Sequence, residues 1–525
     1  MSQILKLKRG SVAGGFMNKD ILFVDVKSVR LDRVLTNLFL KMYANGAPLS
    51  PLGRKGKGDY DIESIEEILC KLEEEGKFKG VTDNSGAVED WLRSSLLELV
   101  NRGNVVKEHV ATLKPLHLLS WRLQNTKYCR DYRASDQLYL MLHSNPSVMA
   151  GLVSYLSKGW DKHSGNIVSS ENLDVDTTGI LYLTQQRKEK TGTRKEIEST
   201  PEPFLKEQAA LFCDDIRRLL LYKDVLPRTV FIDYLRILCG FHLCLYTLKL
   251  VYLLPKMVAA GTRDITDDWS MVVDVTDNLD SPVAPYACSD MERTENGYGR
   301  YIRATYMIDY IQKRKGCSVD EALRILANDN NHSDGYYESD LNNIRDGLPK
   351  SSETEFDQED LKEMLELFPE DDYFDKLIHI LEKSNLGASQ LRFTRDFVDS
   401  VSMKNTSSKL LADSRSRRHP RRGALGSKLL ETLVQLLVIQ DKPNGGFETR
   451  SLSIDELVEE IRNRYGLIIN GLAEDRFAET GVEANEAFRI NMEAFKDKLR
   501  QIGFYTDMSD AYILQKIRPR YKLES

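Results

Sequence analysis

No catalytic signature interrupts these 525 residues, and what is scarce narrows the field before any motif is weighed. The seven cysteines are odd in number and widely spread, which argues against a disulfide framework and for a reducing, cytoplasmic setting. A formal net charge of only −7 excludes a chain that coats nucleic acid along its length; any DNA contact must be local. Residues 1–15 lack an apolar core of roughly 7–15 residues, so no secretory signal is evident. No internal repeat of fixed period is visible. Hydrophobic content of 41% and charge of 29% describe an ordinary soluble protein with length for three or four domains.

Long apolar runs are also rare. The one at 237–254 (ILCGFHLCLYTLKLVYLL) is interrupted by His242 and Lys249, preceded by Asp233 and Arg236, and followed by Pro255. A charged residue in mid-bilayer is costly, so a buried core helix closed by Pro255 is expected and no membrane is invoked. Cys239, His242 and Cys244 lack a nearby fourth ligand and do not share a helical face, so no zinc site is assigned. The basic loop GRKGKG at 53–58 lacks the Gly-x4-Gly-Lys-Ser/Thr spacing that cradles phosphate. No cofactor is implied.

What is present concentrates at the C-terminal end. From 391 to 428 the chain holds ten Lys/Arg against three Asp, and Arg415, Arg417, Arg418, Arg421 and Arg422 place five guanidiniums within eight residues. That density suits nucleic-acid phosphate. Leu425, Leu429, Leu433, Leu436 and Leu437 then predict a helix over 423–440, broken by Pro-Asn-Gly-Gly at 443–446. A short strand follows over 447–452. Ser453 with Glu456 forms a capping box for a second helix ending near Gly466. Phe488, Met492, Phe495, Leu499 and Ile502 line a third helix, whose neighbouring face carries Arg489, Glu493, Lys496 and Arg500. Residues 504–517 read as a hairpin ending in Lys516, Arg518 and Arg520. This is the order of a winged helix, in which the third helix approaches DNA and basic groups neutralise phosphate. The long acidic loop 467–484 and Glu493 oppose that use; the basic run favours it.

The rest of the chain predicts a scaffold that is mainly α with minor β. A strand is expected at 21–26, with helices at 30–43, 61–75 and 87–101 and more between 113 and 155. Helices 204–223 and 229–254 should form an antiparallel pair, followed by helices at 298–313 and 318–328. Asp274, Asp277, Asp280, Asp290, Glu292 and Glu295 are the carboxylates beside a plausible strand, and are read first as turn residues. Residues 353–375 hold eleven acids and one Lys on a helical pattern, a solvated face or a mask for the basic run. The expected division is 1–165, mostly helical with a short strand; 166–350, built on the long helix pair; 351–422, an acidic helix and basic linker; and 423–525, winged-helix-like.

Two stretches carry a family resemblance: CDDIRRLLLYKDVLPRTVFIDYLRILCGFHLCLYTLKLVYLLP at 213–255, and RRGALGSKLLETLVQLLVI with the following SIDELVEEIRNRYGLIING. They resemble an accessory subunit of bacterial multi-gene anti-phage islands, most nearly the seventh subunit of the methylation-associated defence system. The final part is similar, more loosely, to an accessory subunit of phosphorothioation-dependent restriction systems. The resemblance covers roughly residues 200–520. It implies work beside DNA methyltransferase, ATPase and nuclease subunits and brings no catalytic residues with it. The leading expectation is therefore a non-catalytic scaffold that binds double-stranded DNA through Arg415, Arg417, Arg418, Arg421, Arg422, Arg489, Lys496, Arg500, Lys516 and Arg518. Two alternatives stand beside it: a metal-dependent nuclease using Asp274, Asp277, Asp290 or Glu292, and a purely protein-docking architectural subunit.

Overall fold

The computed structural model describes residues 18–47, 59–104, 106–168, 173–185, 201–328, 335–347, 372–414, 418–443, 445–477, 481–505 and 516–523. It is mainly helical, and its strands pair into two-stranded sheets. Contacts group Val29–Leu243 with Thr432–Arg450 and Pro519–Ser525 in one compact unit, and Met1–Ser28 with Cys244–Glu431 and Ser451–Arg518 in another. The stretch 423–525 thus contributes residues to both.

In the first unit, α1 (Leu31–Tyr43) follows the expected stripe, with Val34, Leu35, Leu38 and Phe39 fully buried. Helix Ile62–Glu74 is capped by Asp61, whose carboxylate accepts from the Ser64 amide while the Ser64 hydroxyl answers the Asp61 amide. The α-helix expected over 87–101 stops at Trp91, and Leu97–Val100 is instead a strand, β1, antiparallel to β2 (His109–Leu113). A leucine-rich run satisfies both periods; here Leu97 and Leu99 alternate inward, and Asn101 and Gly103 at φ 53 and 83 turn the chain back. Helices α2 (Ala134–His143) and α3 (Pro146–Leu156) both pack on α4 (Lys206–Leu220).

Helix α5 (Arg228–Ala260) is long and apolar enough to cross a membrane, yet 94% of its apolar window is buried within the protein. Core burial is the reading that fits. It does not end at Pro255; the helix continues to Ala260 through the proline. His242, fully buried, lies 2.9 Å from the Asp215 carboxylate and 3.0 Å from the Gln208 amide, both on α4. With the amide donating to Nδ1, Nε2–H donates to the carboxylate. Both ring nitrogens are thereby occupied. Strands Ile439–Asp441 and Phe447–Thr449 complete an antiparallel pair in this unit.

The second unit begins with residues 21–26, where Ile21, Leu22, Val24 and Val26 are buried but no strand forms. Strand β3 (Met271–Val272) precedes α6 (Ala284–Lys315), which begins fourteen residues before the expected 298. Asp290, Glu292 and Glu295 are therefore helical, not turn residues. Helix Gly335–Gly347 occupies part of the polar stretch 329–352 and packs on α7 (Tyr373–Lys383), which is followed by α8 (Asn385–Val401). Most of the acidic stretch 353–375 lies outside the described residues, as does loop 53–58.

Strand β4 (Leu411–Ala412) then pairs antiparallel with β5 (Arg422–Gly423), so the basic run ends inside a ladder. Helix α9 (Ser427–Leu437) is shorter than the expected 423–440. Strand β6 (Leu452–Ser453) leads into α10 (Ile454–Tyr465), which has the expected Ser453–Glu456 capping box and ends at Gly466 in the left-handed region, φ 70. A Cβ at Gly466 would lie 2.7 Å from the Trp269 carbonyl, so glycine is required twice over. Strand β7 (Leu467–Ile468) runs parallel to β3, α11 (Val482–Gln501) follows, and β8 (Lys516–Ile517) returns antiparallel to β6. Val272, Val283 and Ala287 share a core with Ile468, Ala484, Ala487 and Phe488, sealed by Tyr286 and Phe477.

Candidate nucleic-acid interface

The basic run is carried to its neighbours by backbone pairing. The Asp274 amide donates to the Gly423 carbonyl at 2.9 Å and the Leu425 amide to the Asp274 carbonyl at 3.3 Å. This approach is close enough that a Cβ on Gly423 would meet the Val272 carbonyl at 2.4 Å. Arg422 is thereby set against Asp274, its Nε 2.8 Å from Oδ2, with both side chains buried. Arg421, 8% exposed, pairs with Glu295 at 2.7 Å and with Asp399. These two guanidiniums face the chain's own carboxylates and are largely closed off from solvent. Arg418 is 77% exposed, with Asp280 at 3.4 Å. Arg415 and Arg417 lie outside the described residues.

The carboxylates that suggested a metal centre are matched by the same cations and others. Asp277 accepts from Lys409 at 2.6 Å and Lys498 at 2.7 Å. Burial would raise the Asp277 carboxyl, but hydrogen bonds from these lysines outweigh it and hold the group below its ordinary value. Lys498 is shifted downward, chiefly by burial and only partly restored by Asp277. Its ammonium also donates to the Leu425 carbonyl at 2.9 Å. Asp290 receives a two-pronged contact from Arg476 at 2.7 and 2.9 Å, a third from Arg293 at 3.0 Å, and the Val272 amide at 2.7 Å. Among the described residues no three His, Cys, Asp or Glu side chains gather as metal ligands. Asp274, Asp277 and Asp290 are each turned to cations of the chain itself.

Helix α11 is rotated from the expected orientation. Asn491 and Lys498 lie on its buried face with Phe488, Phe495 and Leu499, while Met492 is only partly buried. Asn491 accepts from the Val275 amide at 2.9 Å and donates to the carbonyls of Val273 and Ile469 at 3.0 and 2.8 Å. One side chain thereby ties α11 to the segments leaving β3 and β7. The spacing 488, 491, 495, 498 was the available signal, because it continues the apolar stripe through two polar residues. On the outer face Arg489 bridges Glu486 and Glu493, each at 2.6 Å, and Arg500 pairs with Asp497. Lys496 is partly buried. Lys516 and Arg518 are exposed, and the Arg518 amide donates to the Phe504 carbonyl at 3.0 Å. Most of the predicted hairpin, 506–515, lies outside the described residues.

Comparison with known families gives one assignment that spans nearly the whole chain. The model of a family described as methylation-associated defense system protein MAD7 matches residues 12–521. Among curated proteins no relative matches the chain.

Proposed function

The chain belongs to the methylation-associated defense system protein MAD7 family, and from that premise we propose that it is a non-catalytic binding subunit of a cytoplasmic anti-phage assembly, working beside DNA methyltransferase, ATPase and nuclease subunits. Its C-terminal elements, read as a winged helix, touch duplex phosphate through outward-facing cations. The observation that carries this reading is the pairing of β6, between the first and second helices, with β8, after the third. That is the strand connection a winged helix requires, and it ends in exposed Lys516 and Arg518. Arg418, exposed at 77%, is a further cation offered to phosphate in this reading.

The test is duplex binding by the full chain with Arg418, Lys516 and Arg518 replaced by Ala. Weaker binding is expected, with a salt dependence about one unit shallower for each phosphate that is no longer neutralised. Isotherms that coincide with the parent's across roughly 50–200 mM salt would sink the DNA role.

A protein-docking role is favoured by a separate observation. The outer face of α11, where DNA would lie, neutralises its own arginines through Glu486, Glu493 and Asp497. Such a mixed-charge face suits a complementary protein surface better than a polyanion. Mass photometry of the chain with neighbouring gene products separates the two: a complex that Glu493→Arg abolishes without change in duplex affinity selects docking.

A further inference from the structure

A cavity of about 300 Å³ opens between the C-terminal half of α5, the segment before β3, and α6. Its wall carries Lys256, Arg293, Arg300 and Arg476, against a single lining carboxylate among the described residues, Asp268. Two of these arginines are held in place from behind. Asp290, 6% exposed, takes Arg476 through both its oxygens and Arg293 through one. One buried carboxylate thus orients two guanidiniums and leaves a positive charge over. Lys256 is set by Asp268 at 2.9 Å and lies 4.0 Å above the Tyr252 ring. Arg300 is exposed and has no ion-pair partner among the described residues. Counting Asp290, four cations face two carboxylates.

The same lining also has an apolar part. Val251, Pro255 and Trp269 contribute to it, and the helices pack closely there: a Cβ at Gly297 would come within 3.3 Å of Val251 Cγ1. Planar guanidiniums held in place offer paired N–H donors to the oxygens of a tetrahedral phosphate, whereas the apolar part of the lining gains nothing from a bare inorganic ion. The volume is at the lower end of small-molecule sites and too narrow for a duplex. We propose that this cavity binds a small phosphomonoester with a planar ring, of mononucleotide class. Neither the proposed DNA contact nor the docking face uses any of these residues, so the two readings stand or fall separately.

Titration calorimetry on the full chain with AMP, inorganic phosphate and adenosine tests it. AMP is expected to bind at least about tenfold more tightly than phosphate, since only AMP has a ring to bury against the apolar lining, and adenosine not measurably, since it lacks the charge-assisted interaction. Arg300→Glu should abolish the AMP heat while leaving the thermal midpoint of the unliganded chain unchanged, because the residue is exposed. Lys256→Gln gives a second, independent reduction. Equal weak binding of AMP and phosphate overturns the proposal, as does AMP binding unaffected by both substitutions. A single-stranded oligonucleotide that binds in an Arg300-dependent way while AMP does not would also overturn it.

Discussion

Arg418 and Arg422 lie four residues apart in one basic run and meet opposite fates. Arg418 projects into solvent beside an exposed aspartate, whereas Arg422 is closed into the protein against Asp274. The same split divides α11: Lys498 and Asn491 face inward, Arg489 and Arg500 outward. The lesson is that the acidic stretch 274–295 and the cations of 409–498 are, to a large extent, each other's counterparts. Taken separately they suggest a metal centre and a DNA-binding surface. Together they are an internal seam, and only the cations outside it remain for a partner.

The seam should break far more expensively than the surface. Arg422→Ala leaves Asp274 buried with its ion-pair partner removed, and is expected to cost about 3–5 kcal/mol in chemical denaturation. A loss below about 1 kcal/mol would mean that water reaches the pair. Asn491→Leu deserts one amide and two carbonyls at the junction of β3, β7 and α11, for an expected loss of about 3 kcal/mol by the same measurement. An unchanged unfolding midpoint would show that the side chain does not tie these segments together.

Acid should sharpen the contrast. The Asp277 carboxyl is held below its ordinary 3.8 in the folded chain, so the unfolded chain binds more protons as pH falls. Its contribution is present above that value and is lost as pH drops through the folded one. Unfolding midpoints followed downward from neutral pH should therefore fall less steeply for Asp277→Asn than for the parent. Parallel curves would remove Asp277 from the seam. The smallest effect belongs to the outer face: Arg489→Ala, whose ion pairs are exposed, should shift the unfolding midpoint by no more than the scatter of the measurement. A larger loss would erase the distinction between the two faces.

Local signals were legible where the chemistry is local. The Ser453–Glu456 capping box and the stop at Gly466 were readable because a cap depends on residues three or four apart. The stripe Val34, Leu35, Leu38, Phe39 was readable for the same reason. The run 96–100 was not, because a leucine-rich stretch of that length fits a strand or a helix and only the turn at 101–104 decides. Pro255 has the signature of a terminator and does not act as one. Its effect is to remove one backbone donor, and a long buried helix absorbs that loss. At the candidate interface the exposed cations could be named from sequence, but Lys409, Lys498, Asn491 and Arg476 could not, since the partners that place them (Asp277 for both lysines, Val273 for Asn491, Asp290 for Arg476) lie 132 or more residues away.

Periodicity, capping residues and composition by themselves determined a mainly helical chain, the order of its C-terminal elements, and a local excess of positive charge. The tertiary structure alone decided which of those charges face outward. A guanidinium or ammonium has the same sequence signature whether it is solvated or buried. What separates the two outcomes is a carboxylate brought close by backbone pairing, as β5 brings Arg422 to Asp274, and burial is tolerated only where such a partner offsets the lost hydration.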